Sequence, residues 1–403
     1  MSKTILIVGG GYGQLPAIHS ARELGWRSVV VDRRGNAPGM AIADESHEID
    51  VLDSVGVVDL ARQARVDGVI TLQSDIGVPT VGAVVDALGL PGVGEKVGRR
   101  CSNKIEVRRW FTSVGVGQPS YRVVRTKVEA QLAGAELGFP CVVKAPASSG
   151  SRGVVKVNGD AEMPSAFEEA MRYAPDGELL VEAYVRGTEL GAQTFSFQGR
   201  CQLVLLHNDT VSEPPYMVPT GHSFPVGLDH ERRIKVERMV ERCVEAMGIG
   251  VGPANIDLIV DEAGEVQILE VGVRIGATCL PELVRCFTGI DWVKETLRAA
   301  VGERPDLMVR GVQPCAASIL QAKKDGVLLG ASVPQEVRDL EDVLEVEVTA
   351  HAGEVVSQLR KGTDRIGKVL AQGDSAAEAE ALVMRVADLI EFEIATDQPA
   401  QKS

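Results

Sequence analysis

The stretch Gly252–Leu283, GPANIDLIVDEAGEVQILEVGVRIGATCLPEL, constrains this chain most. Apolar residues flank one acid, Asp257, and a second apolar run ends at Glu270. Between them, Asp261-Glu262-Ala263-Gly264 has the chemistry of a tight turn. Two strands joined there fold back on each other. Strand side chains alternate with period two, so Asp257 and Glu270 can share one face of the pair. Two carboxylates at close range repel, and both ionise when a cation lies between them. Hard oxygen ligands of this kind suit Mg²⁺ carrying a nucleotide phosphate. Arg274, just past Glu270, is the kind of group that holds a phosphoryl or carboxylate oxygen. The bland alternative is an ordinary hairpin whose acids are solvated.

A chain of 403 residues is long for one core, and two to three domains are expected. A net charge of −14 argues against nucleic acid or an anionic membrane as the main partner. No run approaches the roughly 18 apolar residues that span a bilayer. The start, MSKTILIVGGG, turns glycine-rich too early for a signal peptide and reads as a first strand. Seven cysteines without CxxC spacing fit reduced thiols in a cytoplasmic protein.

In order along the chain, Thr4–Val8 reads as a strand, Gly9-Gly10-Gly11-Tyr12-Gly13 as a turn, Pro16–Leu24 as a helix and Ser28–Asp32 as a second strand. This is a βαβ unit whose glycines let backbone approach an anion, with Gly11 a candidate substrate contact. It is an imperfect dinucleotide fingerprint, because the third required glycine falls on Gln14 or Pro16. Further on, Lys104–Val114 has helix periodicity, and Cys141–Lys144 is a strand ending in a lysine. Ser148, Ser149, Gly150, Ser151 and Gly153 follow in a glycine- and serine-rich hairpin. Backbone N–H groups and hydroxyls there can cover phosphate oxygens while Lys144 supplies a point charge. The order Gly-Lys-Ser/Thr of a Walker loop is absent.

Leu179–Glu189 reads as a strand running into an extended connection, where backbone can pair with an adenine edge, Glu182 can take the exocyclic amine and Glu189 ribose hydroxyls. Val211–Gly227 reads as a long loop, and a loop of that length inside a compact domain is usually functional; its His222 is a candidate substrate contact. A helix is expected over Asp229–Met247. Strand-like runs at Ala316–Leu320, Val343–Val348 and Val369–Gln372 and a helix at Ser375–Ile390 follow, with a frayed end from Ala395 to Ser403.

Lys104 and Lys144, the hairpin between Ser148 and Gly153, the connection Val-Glu-x-x-Val-x-Gly-x-Glu and the acid hairpin ending in Arg274 occur in one order that resembles the ATP-grasp superfamily, of the carboxylate–amine ligase type. The resemblance covers roughly residues 1–300. It implies an α/β ATP-grasp fold. Residues 1–95 would be an N-terminal Rossmann-like domain and 96–304 the ATP-grasp domain, with a lid subdomain at about 115–185. Residues 305–403 would be a small C-terminal α+β region. The family activates a carboxylate as an acyl phosphate with MgATP, and an amine then displaces phosphate. Lys104 and Lys144 thereby become phosphate contacts, and Ser148–Gly153 a lid. Glu182 and Glu189 become adenine and ribose contacts, with the backbone of Ala183 and Val185 along the adenine edge. Asp257 and Glu270 become ligands of Mg²⁺ or Mn²⁺, and Arg274 steadies the transferred phosphoryl group and the acyl phosphate.

One departure is plain: Val271-Gly272-Val273-Arg274 carries Gly272 where the family often has asparagine. Asn255, two residues before Asp257 and on the same strand face, is the expected substitute ligand. The reading is therefore an ATP- and Mg²⁺-dependent biosynthetic ligase of small metabolites, with a homodimer implied by the family. Its rivals are a bicarbonate-using carboxylase of purine or biotin type, a dinucleotide-dependent oxidoreductase, and a nucleotide-binding regulator without turnover.

Overall fold

The computed structural model describes residues 2–396, apart from 149, 151, 214, 215 and 217. The first strands are β1 (Thr4–Val8), β2 (Arg27–Asp32), β3 (Glu45–Glu48) and β4 (Gly68–Ile70). They form a parallel sheet in the order β3-β2-β1-β4. The chain winds outward from β1 and then returns to its other side, so a crevice opens at the carboxyl ends of the strands. A cavity of about 350 Å³ lies there, lined by Gly9, Gly11, Gln14, Asp32 and Arg34, with Arg365 from far along the chain.

A second sheet, order β5-β8-β6-β7, is built from β5 (Tyr121–Val124), β6 (Cys141–Lys144), β7 (Val154–Val157) and β8 (Leu179–Ala183), all antiparallel. Its inner face packs on the helices Lys127–Leu137 and Met163–Met171 through Val143, Val181, Ala133 and Phe167. The helix Lys127–Leu137 starts on a complete capping box between Thr126 and Glu129.

The remaining strands are β9 (Gly187–Phe197), β10 (Arg200–Val211), β11 (Pro219–Phe224), β12 (Gly252–Asp261), β13 (Val266–Gly272), β14 (Cys315–Gln321), β15 (Gly326–Ser332), β16 (Val343–Val348), β17 (Val355–Val356), β18 (Arg365–Gln372) and β19 (Glu391–Ala395). Eight of them make one sheet, β13-β12-β9-β10-β11-β14-β18-β16. Three form a small sheet, β17-β15-β19. The strands of the C-terminal region thus extend the central sheet instead of standing apart from it. Among the described residues no helix is long and apolar enough to cross a membrane.

Several sequence readings land on the observed bounds, among them Thr4–Val8, Lys104–Val114 and Cys141–Lys144. The loop expected over Val211–Gly227 is corrected: β11 occupies Pro219–Phe224, paired with β10 on one side and β14 on the other. Its residues Thr220 to Phe224 are buried between these neighbours, so pairing with distant strands overrides local glycine and proline content. Part of the frayed end expected from Ala395, residues 397–403, lies outside the described residues.

Candidate active site

The acid hairpin forms as β12 and β13, joined by a turn in which Gly264 takes φ +78° and Asp261 accepts the N–H groups of Ala263 and Glu265. Asp257 stands directly opposite Glu270, and the register shifts just beyond that pair. Burial, then Glu270 and Asp209, push the Asp257 carboxyl up to about 7, against the pull of Arg274 and His207. Two facing carboxylates held this way are the donor set a hard divalent ion fits.

Asn255 does not behave as the expected substitute ligand. Its Oδ1 accepts from Gln193 Nε2 at 2.5 Å, while its Nδ2 donates to Asp257 Oδ1 at 2.8 Å. The amide oxygen is turned to Gln193, and the amide nitrogen orients Asp257. Gly272 has a reason of its own. A Cβ built on it would lie 3.0 Å from both Cζ and Nη1 of Arg274. The missing side chain is the space the guanidinium fills.

Arg274 is held by Asp75, in the loop after β4, which accepts from Nη2 at 2.9 and 3.0 Å. Its Nε and Nη1 are buried and carry no hydrogen bond. Buried donors without partners are costly, so this guanidinium is built for an anion. Asp75 escaped sequence reasoning because it lies far from Arg274 along the chain and in no motif.

Lys104 opens the helix Lys104–Val114, whose N-cap Asn103 accepts from Ile105 and Glu106. Its Nζ donates to the Ser148 carbonyl at 2.7 Å and lies 3.3 Å from Glu270 Oε1. One lysine therefore touches both the glycine- and serine-rich hairpin and the acid pair. Gly150 and Gly153 take φ +65°, a backbone state that favours glycine. Ser149 and Ser151 of the expected lid lie outside the described residues.

Lys144 pairs with Glu182 Oε2 at 2.6 Å, and Arg108 Nε donates to Glu182 Oε1 at 2.5 Å. Burial pushes the Glu182 carboxyl up, but Arg108 and Lys144 outweigh it and bring it down to about 2. Arg108 also donates to the carbonyls of Ile268 and Leu269, next to Glu270. It thus fastens the β5-β8-β6-β7 sheet to the acid hairpin. The sequence signal for Arg108 was available: it sits among Ile105, Val107 and Phe111 on the buried face of its helix, where a charge needs a partner. Both carboxylate oxygens of Glu182 are engaged, and its side chain is buried, so it positions Lys144 and is not open to an exocyclic amine. The Ala183 N–H is likewise taken, by the Ser120 carbonyl at 2.9 Å. Val185 and Glu189 are half-buried beyond the end of β8. Burial raises the Glu189 carboxyl, with Asp209 in the same direction and Lys144 opposing.

The glycine turn does not complete a dinucleotide site. Gln14 stands where a third glycine is required, and its side chain is locked to Leu72 N–H and C=O. Asp32 spends its carboxylate on the N–H groups of Gly10 and Arg34.

Residues 137–282 match the ATP-grasp domain family, and residues 318–395 match the family described as L-amino acid ligase C-terminal domain 2. The chain carries an ATP-grasp domain. A relative along nearly the full length is the formate-dependent phosphoribosylglycinamide formyltransferase of Sulfurisphaera tokodaii. It is 25% identical over 404 residues, covering 96% of this chain and 97% of that protein. The uncharacterized protein y4rH of Sinorhizobium fredii is 28% identical over 319 residues, 78% of this chain but 66% of its own length, just short of two thirds. The crystal structure of an L-amino acid ligase from Bacillus licheniformis shares the fold with a TM-score of 0.84 and 23% identity, covering 98% of this chain and 99% of that one.

Proposed function

We propose that this chain is an ATP- and Mg²⁺-dependent ligase that activates a small carboxylate as an acyl phosphate and joins it to an amine, with amino acids as the substrate class. One observation carries the reading. Asp257 and Glu270 face each other on one hairpin, Lys104 reaches Glu270 from its helix, and Arg274, just past the second strand, keeps two unpaired guanidinium donors. Phosphoryl transfer demands charge neutralisation and positioning more than covalent help, and these residue types supply both. Asp257 and Glu270 would hold Mg²⁺, which draws charge from the phosphate oxygens when bound. Lys104 and Lys144 neutralise the triphosphate, and Arg274 holds the transferred group against the carboxylate. Gly11, which lines the cavity at the first sheet, and His222, on β11, are the proposed substrate contacts. The hairpin read between Ser148 and Gly153, touched by Lys104 at the Ser148 carbonyl, would cover the phosphates and keep the acyl phosphate from water.

The amino-acid assignment rests on the description of the family that matches residues 318–395. Mn²⁺ substitutes for Mg²⁺ in this reading, seven free thiols fit a cytoplasmic enzyme, and a homodimer is the assembly expected in solution. The test is a screen of paired amino acids and of hydroxy and keto acids with MgATP, read as ADP and phosphate release. Turnover with an amino-acid pair is the expected result. Phosphate release only with bicarbonate would move the reading to a carboxylase, and none with any acid would remove it.

A further inference from the structure

β10 and β11 carry a cluster of three polar groups, of which the mechanism above uses only His222, as a substrate contact. Asp209 Oδ1 accepts from His207 Nδ1 at 2.7 Å and from His222 Nδ1 at 2.6 Å. The two rings meet edge to face with centroids 5.0 Å apart. All three side chains are almost fully buried, with 1% of His207, 9% of Asp209 and 8% of His222 exposed. The set invites a metal, but the spacing does not. Two atoms sharing one zinc at about 2 Å lie about 3.3 Å apart in a tetrahedron. Separations of 2.6 and 2.7 Å are hydrogen bonds.

The cluster belongs to the same sheet face as the acid pair. Asp257 on β12, Gly191 on β9 and His207 on β10 stand in one row across three strands. Gly191 has no side chain, and its Cβ would fall 2.0 Å from His207 Cε1, so the His207 ring leans across β9 towards Asp257. His207 Nε2 then meets Gln193 Nε2 at 3.3 Å, and Gln193 leads through Asn255 to Asp257. His207 is thereby tied at both nitrogens. His222 is tied at one. Its Nε2 has no partner among the described residues and is not among the buried polar atoms left without one, so it faces accessible space.

From these positions we infer that His222 Nε2 is the proton acceptor for the attacking amine, with Asp209 and His207 as positioning residues that hold its ring. The inference rests on the ligase reading. An amine reaches a neutral solution as an ammonium ion and has no lone pair to attack with. One N–H proton passes to His222 Nε2, and the freed pair forms the C–N bond to the acyl carbon. The C–O bond to phosphate breaks, phosphate leaves with that electron pair, and it takes the second proton from the adduct nitrogen. Burial depresses the His222 imidazole, with His207 in the same direction and Asp209 opposing, which keeps it unprotonated and ready. Charged groups around it are Asp209 and His207 on β10, and Glu189 on β9 behind them. The helix Leu280–Thr288 adds Glu282, which is paired with Lys368 of β18. Glu380 lies on the opposite face, bonded to Ser223.

Hydroxylamine separates this role from binding, because it is unprotonated at neutral pH and needs no base to attack an acyl phosphate. In His222→Gln, amide formation from an ammonium substrate falls by about 10²- to 10⁴-fold, while hydroxamate formation with the same acid falls far less. Asp209→Asn shows the same split at smaller size, and raising the pH restores part of the lost amide rate in both. Equal losses of amide and hydroxamate would assign His222 to binding or structure and overturn the inference, as would an unchanged amide rate. If the wild-type protein gives no hydroxamate from any acid, the ligase reading fails first. Circular dichroism of both variants keeps misfolding apart from chemistry.

Discussion

Two charged clusters sit a few residues apart and are built on opposite plans. In the first, Arg108, Glu182 and Lys144, one carboxylate is buried between two cations, and both of its oxygens are occupied. In the second, Asp257 and Glu270 face each other with Lys104 near only one of them, and Arg274 keeps two buried donors unpaired. Folding completes the first cluster and leaves the second incomplete. A buried carboxylate whose two oxygens are both occupied, as in Glu182, is architecture even where it also aims Lys144 at the site, whereas a set that is unbalanced in the folded chain waits for charge from a ligand. The same residue types therefore divide into fasteners and functional groups according to which valences remain open.

The sharpest way to break that contrast is to remove one group from each cluster. Glu270→Ala should reduce turnover by about 10³-fold or more, with an unfolding midpoint near that of wild type, because no folded partner depends on it fully. Saturating Mg²⁺ should raise the unfolding temperature of wild type but not of this variant. A large loss of stability in Glu270→Ala would show that the second cluster is structural after all.

Glu182→Gln should do the reverse, costing about 3 to 5 kcal/mol in denaturant unfolding by leaving Arg108 without its carboxylate. The sign with pH follows from the lowered carboxyl. Its folded value, about 2, lies below the ordinary 4.5, so its contribution is complete above the ordinary value and is lost as pH falls towards 2. The stability gap between wild type and Glu182→Gln should accordingly be widest near neutrality and shrink in acid. A gap that stayed constant down the acid limb would mean the pair contributes nothing through its charge.

Smaller effects test the hairpin itself. Gly272→Asn restores the common family residue but displaces the Arg274 guanidinium, and should lower turnover by about 10- to 100-fold. Unchanged or improved turnover would show that the space is not reserved for Arg274. Asn255→Ala should weaken Mg²⁺ by about 10-fold, the size of an effect on a ligand's orientation. A loss as large as that of Glu270→Ala would return Asn255 to the coordination sphere.

What could be read along the chain and what could not divides by the range of the interactions. The hairpin Gly252–Gly272 was legible, down to Asp257 opposite Glu270, because turn chemistry and period-two alternation act within a few residues. The lysine-led hairpin at Lys144 and the helix beginning at Lys104 were legible for the same reason. Glu182 looked like a ligand contact only because its partner Arg108 lies a whole sheet away in sequence. Gly272 looked like a lost ligand until Arg274 was seen folded back over it. Gln193, His207 and Asp209 gave no signal at all. Each is a polar residue in a strand whose meaning depends on two neighbouring strands, and β11 itself was mistaken for a loop because β10 and β14, not its own composition, make it extended.

The unbroken eight-stranded sheet has a practical consequence for anyone recombining relatives of this protein. β11 bonds to β10 on one edge and to β14 on the other, so the strand bearing His222 answers to both halves of the chain. A chimera cut between residues 304 and 315 would bring in a foreign β14 as the template for β11, and with it a new tilt for the imidazole. Grafting the C-terminal portion is thus an indirect way to shift His222 and probe its proposed role, with no residue of the acid hairpin altered.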